Sequence, residues 1–189
     1  MTPSSRLFVA LTALLVLGSA CGNTNADREK RIAVERTAIE GYSAKIPEAI
    51  RYQAAFADEW RQVNEIKDLK SYTEAMRSRV IPALEKYVAA LRMMPTNSKK
   101  LADIHTKVTA AYEAAVSGFS SFQDGLTDEN VEERYQSLLK AMETVAHAEK
   151  TYQRHLETYY ASNRVTLDTP KTAPSAAPKT PAAQAPATP

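Results

Sequence analysis

The sequence predicts an all-α fold: an up-down antiparallel four-helix bundle with longer first and last helices and a disordered C-terminal tail. Three observations point there. Between Asp27 and Val165 the apolar residues recur at steps of three and four, the period of a helix with one buried face. No useful length of chain alternates apolar and polar residues at period two. The 189 residues include only five glycines, too few for the tight turns of a hairpin-rich architecture.

The first helix runs from about Asp27 to Ile66, with Ile32, Ile39, Tyr42, Ile46, Phe56, Trp60 and Val63 on one stripe. Pro47 must kink or divide it, because proline has no amide donor and its ring crowds the preceding turn. The second helix opens at Ser71, where Glu74 completes a capping box. It runs to about Met93, kinks near Pro82 and is stopped by Pro95. The third covers about Ser98 to Gln123 with Leu101, Ile104, Val108, Tyr112, Ala115, Phe119 and Phe122 inward, and Gly125 breaks the chain after it. The fourth carries the clearest pattern. Val131, Tyr135, Leu138, Met142, Val145, Tyr152, Leu156 and Tyr159 form a heptad seam, interrupted only where Glu149 takes a seam position. Thr127 or Asp128 can cap this helix, and Asp128 and Glu129 suit the positive end of its dipole.

Short connections make neighbouring helices antiparallel. With the upper ends aligned near Ile66 and Glu129, the segment from Asp27 to Tyr42 should pair with Tyr152 to Asn163. Helices two and three are shorter than one and four, so a two-helix extension of about 15 residues, near 23 Å, is expected at the lower end. An isolated helix pair covers only one side of its seam. Ile32, Ile39, Tyr42, Leu156 and Tyr159 should therefore be partly exposed, with Tyr152 and Tyr160 beside them, as an interaction surface awaiting another helix or a second copy.

The N-terminus has the parts of a secretory signal: one cation at Arg6, an apolar run from Leu7 to Leu17, then Gly18-Ser19-Ala20. The run is too short to cross about 30 Å of hydrocarbon, so residues 1–20 read as a signal peptide that is removed. Gly18-Ser19-Ala20 suits the general signal peptidase. Leu17-Gly18-Ser19-Ala20-Cys21 also resembles the lipobox of bacterial lipoproteins, with Gly18 where the usual box has Leu and Leu17 one place further back. That resemblance implies a diacylglyceryl group on the Cys21 thiol, cleavage before Cys21, and an acylated (palmitate-type) anchor in an envelope membrane. Cys21 is the single cysteine of the chain; no internal disulfide can use it, and its place at the end of an export signal accounts for its presence. By resemblance to the sorting habit of Gram-negative lipoproteins, Gly22 after the cysteine points to the outer membrane.

Domain organisation follows: a lipid-anchored linker at 21–26, the helical bundle at 27–165, and a Pro/Ala/Thr-rich tail at 166–189. Frequent proline and no large apolar residue after Asp168 predict disorder for the tail, as a solubilising segment or as a tether through Lys171 and Lys179. Without Arg6, the 24 Lys and Arg become 23, against 22 Asp and Glu. A chain so nearly neutral has no case for nucleic-acid binding.

Candidate chemistry is sparse. His105, His147 and His155 are the only histidines. Glu143 and His147 share a helix face at metal-ligand spacing, but His147 lies opposite the seam of Val131, Leu138 and Val145 and should face water. No covalent-haem, phosphate-loop or nucleophile-elbow motif occurs, and no metal or cofactor is expected. Met93 and Met94 are expected to fill the lower rim of the bundle. The sequence therefore reads as a membrane-anchored envelope lipoprotein, non-enzymatic, acting as a protein-interaction or scaffold module toward an envelope protein or itself. The alternative is a small-ligand or stress-sensing bundle with a pocket between helices near Pro47, Pro82 and Met93.

Overall fold

The computed structural model describes residues 23–166. Residues 1–22, where a signal peptide and a lipid-bearing Cys21 are expected, and residues 167–189, where a disordered tail is expected, lie outside the described residues. Within them all regular structure is helical: α1 Asn23–Ser43, α2 Ile46–Val63, α3 Leu69–Ala75, a π-helical turn Met76–Val80, α4 Ile81–Arg92, α5 Lys99–Gln123 and α6 Val131–Ser162. They pack as a helical bundle.

Proline decides two of the boundaries. Pro47 divides the first helix and sits in the first turn of α2, where a missing amide leaves no internal bond unmade. The break is short, because Lys45 keeps right-handed helical angles (φ −96°, ψ −14°). Pro82 is met differently. In an uninterrupted helix its ring would press on the carbonyl of Ser78 and leave it without a donor. The chain instead widens into the π turn just before it, with Ile81 N–H donating to Met76 O. Residues 69–92 thus stay one rod.

Two caps differ from expectation. Asp68, not Ser71, caps α3: its carboxylate accepts from Ser71 N at 2.7 Å, so the Ser71–Glu74 box goes unused. Asn130, not Thr127 or Asp128, sits at the start of α6 and makes no side-chain cap bond. Its amide instead closes the preceding turn, accepting from Thr127 N (2.9 Å) and donating to Gly125 O (3.0 Å). Gly125 adopts φ +69° there, a left-handed conformation that glycine takes without steric cost. Arg134 then reaches back to the Ser121 and Asp124 carbonyls at 2.8 and 2.6 Å, satisfying the end of α5. Ser98 caps α5, accepting from Leu101 N at 3.1 Å.

All seven residues expected inward on the third helix are buried, and so are Leu138, Met142, Val145, Leu156 and Tyr159 of the fourth. In the upper core Phe56 stacks on Trp60 (centroids 5.8 Å), and Phe119 stands edge-on to both at 5.7 and 5.1 Å. Met76, Val80 and Leu84 pack in the same core and are fully buried. Each such side chain removed from water contributes roughly 1.5–3 kcal/mol.

The two-helix extension is absent, and the register explains why. Gly118 faces Ala141, Tyr112 bonds Glu149, and Ser98 bonds Tyr159. Helix α5 therefore covers α6 almost to its end, and the extra length of α6 (32 residues against 25) is shared between both ends. What overhangs at the lower end is the start of α1 alone: residues 24–31 are all exposed.

Candidate functional site

The lower half of the bundle gathers an unusual share of polar side chains on buried faces. Their positions follow from helical spacing. Leu101, His105, Val108 and Tyr112 fall at steps of four, three and four along α5, so the imidazole points inward with the aliphatic residues. Glu149 and Tyr152 occupy successive inward places on α6. Tyr42 from α1, Gln53 from α2 and Tyr87 from α4 complete the set.

Two hydrogen-bonded groups result. In the first, the Gln53 amide donates to Glu149 Oε1 at 2.6 Å and to the Tyr112 hydroxyl at 3.2 Å. The Tyr112 hydroxyl donates to the same carboxylate oxygen. Tyr87 stands edge-on to Tyr112 at 4.7 Å. Burial raises the Glu149 carboxyl above its ordinary value, and the two donors pull it back only in part. In the second group, Tyr42 O–H donates to His105 Nδ1 (2.7 Å) and accepts from Tyr152 O–H (2.6 Å). His105 Nε2–H donates to the Leu91 carbonyl at 2.8 Å, with Thr109 Oγ1 at 3.0 Å beside it. These partners assign the neutral imidazole, protonated on Nε2. Burial lowers the His105 pKa, which keeps the ring uncharged.

A third set closes the lower rim. Tyr159 O–H donates to the Glu35 carboxylate and accepts from Ser98 O–H (3.0 Å). Ser43 and Tyr160 share a hydrogen bond of 2.9 Å. Arg36 donates from Nε to Asn163 O at 2.9 Å, and Arg164 pairs with Glu29 at 3.1 Å. Helix α1 is thus laced to the end of α6 by side chains from Glu29 to Ser43.

Chemically, the cluster is a chain of donors and acceptors whose phenols stay protonated. Burial raises the pKa of Tyr42, Tyr87 and Tyr112, and raises Tyr152 to about 12. It positions groups and can reorient protons, and it offers no phenolate nucleophile at neutral pH.

The residues expected as an interaction surface are brought together, but they are not exposed. Ile32, Ile39, Tyr42, Leu156, Tyr159 and Tyr160 are buried and Tyr152 is half-buried. The expectation failed because α5 and its Ser98 cap occupy the side that a helix pair would have left open. Met93 also departs from expectation: it is 80% exposed, while Met94 alone packs into the core. His147, His155 and Glu143 are exposed, and among the described residues no group of three His, Cys, Asp or Glu is placed to hold a metal ion. Cys21 lies outside the described residues. Sequence reasoning missed the roles of His105, Gln53 and Glu149. Glu149 had left a signal, as the one carboxylate on an otherwise apolar seam.

No family model matches this chain, and comparison with curated proteins and with solved structures gives no match.

Proposed function

We propose that this chain is a lipid-anchored lipoprotein of the bacterial cell envelope whose helical bundle is a non-enzymatic interaction or scaffold module. The observation that carries the reading is the place of Cys21, the single cysteine, at the end of an export signal and two residues before the start of α1. None of the described helices is long and apolar enough to cross a membrane, so attachment through lipid is the route to a bilayer that this reading uses. An up-down course of the four helical stretches belongs to the same reading, supported by the pairing of Tyr112 with Glu149 and of Tyr42 with Tyr152. The partner is an envelope protein or a second copy, engaged through the outer helix faces, since the seam once expected to receive it is closed.

Metabolic labelling with a fatty acid tests the anchor. The wild-type chain should take up label and partition into detergent. Cys21→Ala should take up none and accumulate as the uncut precursor. An unlabelled wild-type chain would overturn the anchor.

One observation favours a second reading, a small-ligand or stress-sensing bundle. Glu149 is a half-buried carboxyl of raised pKa, held by side chains from two other helices. Such a group responds to local pH or to a cationic ligand by changing its hydrogen bonds.

A further inference from the structure

We propose that the lower end of the bundle is a basic surface that lies on an anionic lipid bilayer, with the start of α1 toward the membrane. The orientation rests on the lipid-anchored reading of Cys21; the surface itself rests on the distribution of charge.

The described residues are electrically balanced, with 21 Lys and Arg against 21 Asp and Glu, yet the charges are sorted along the bundle. At the lower end, residues 23–36, 98–103 and 154–166 hold eight cations and five carboxylates. At the upper end, residues 58–79 and 124–134 hold six cations and ten carboxylates. The hydrogen bonds already described make the lower set one end of the molecule: Arg164 meets Glu29, Arg36 meets Asn163, and Ser98 meets Tyr159.

Two lower carboxylates pair with cations of the same end, Glu29 with Arg164 and Asp103 with Lys99, and Glu35 accepts from Tyr159. Asp27 and Glu157 are exposed, and the surplus of three positive charges, eight less five, is unchanged by these pairs. Arg28, Lys30 and Arg31 are exposed on the overhanging turns of α1 and take part in no ion pair among the described residues. Lys100 and Arg154 add exposed cations from α5 and α6.

Position makes these charges effective. Cys21 lies within about 7 Å of Asn23 by chain reach, and Arg28 follows roughly 8 Å further along the helix. Helical side chains lean toward the N-terminus, so Arg28, Lys30 and Arg31 lean toward the anchored end and carry their charges to between one and two screening lengths from it, each about 8 Å at physiological salt. Each cation held near an anionic leaflet strengthens binding about fivefold. End-on, the acidic upper end stands several screening lengths from the leaflet, whereas a pose that laid it on the anionic surface would meet repulsion, so the sorting of charge favours the end-on pose.

The test uses the mature chain from residue 21 carrying Cys21→Ala, so that no lipid contributes, with vesicles of phosphatidylcholine alone or with 30% phosphatidylglycerol as composition of choice. Sedimentation should show binding to the anionic vesicles that falls as salt rises. Inorganic phosphate at equal ionic strength should compete no better than chloride, which separates a surface field from a site for the free anion. Arg28→Gln with Lys30→Gln and Arg31→Gln should weaken binding roughly ten- to hundredfold. Lys86→Gln with Lys107→Gln and Lys140→Gln, the same change in net charge made at mid-height, should weaken it far less. Equal binding to both vesicle types, or equal losses in the two triple variants, overturns the proposal. Anionic binding with no fatty-acid label on the wild type would keep the surface and remove the anchor. Label without anionic preference would do the reverse.

Discussion

Above the level of Leu84 the core is mainly aliphatic and aromatic, with Phe56, Trp60 and Phe119 packed ring to ring and a buried polar side chain, Gln123, accepting from Arg77. Below it, Ile39, Leu91, Leu101 and Leu156 alternate with Tyr42, His105, Tyr112, Tyr159 and Tyr160, and the hydroxyls and ring nitrogens of the latter are hydrogen-bonded. The upper half draws on apolar area, which is non-directional and tolerates repacking of similar volume. The lower half draws on paired polar groups, where loss of one member leaves another buried without a partner. Direction is what the lower half adds. It fixes where α1, the helix nearest the proposed anchor, lies against α5 and α6.

The largest effect expected from breaking this contrast is in the upper half. Phe119→Ala removes the ring shared by Phe56 and Trp60 and should cost about 3–5 kcal/mol, lowering the melting temperature by on the order of 10 °C. Thermal unfolding followed by circular dichroism measures it. A loss below about 1 kcal/mol would mean that area in the upper half is not what holds the bundle.

A smaller and more local effect is expected from Tyr42→Phe. The ring stays, so packing is kept, but the hydroxyl that serves both His105 and Tyr152 is gone. His105 Nδ1 is then a buried acceptor without a donor, a cost of about 1–3 kcal/mol. Amide hydrogen exchange should quicken along α1 and leave the α2 amides around Phe56 and Trp60 unchanged. Uniform acceleration through both helices would show that the two halves unfold as one and that the contrast has no dynamic content.

The same contrast separates what was legible in the sequence from what was not. The all-α class, the seven inward residues of α5 and the break at Pro47 follow from spacing and from proline chemistry, both of which are local. The relative heights of the helices are not local. They are set by how Gly118 meets Ala141 and Tyr112 meets Glu149 across two helices, and periodicity along one helix carries no such register. That is why counting helix lengths led to an extension that does not exist, and why Ile39 and Leu156 are 1% and 7% exposed. His105 stood at seam spacing in plain view. Its role depends on the Leu91 carbonyl, fourteen residues earlier on another helix, a partner that only the folded chain supplies.

The smallest effect, and the one that sharpens the comparison most, is the pH response of the lower half. Burial raises the Glu149 carboxyl above its ordinary value of 4.5. The folded state therefore holds that proton more tightly than the unfolded chain, so the stability it contributes is full below about pH 4.5 and is lost as pH rises through the folded value. His105 runs the other way. Its folded pKa lies below the ordinary 6.5, so its contribution is full above about pH 6.5 and is lost as pH falls through the folded value. Between these limits the two oppose each other, and the wild type should show a shallow pH dependence. Glu149→Gln removes one side of the balance. The amide oxygen still accepts from Tyr112 and Gln53, while the cost of burying a charge is gone. The variant should melt higher than wild type at pH 7, with the difference closing as pH falls toward 4.5, and its stability should decline from pH 6.5 downward more steeply than that of wild type. Melting curves of both chains across pH 4 to 8 decide it. A variant less stable than wild type at pH 7 would mean that the bonds from Tyr112 and Gln53 to the carboxylate outweigh its burial, and that the lower half gains from the charge it carries.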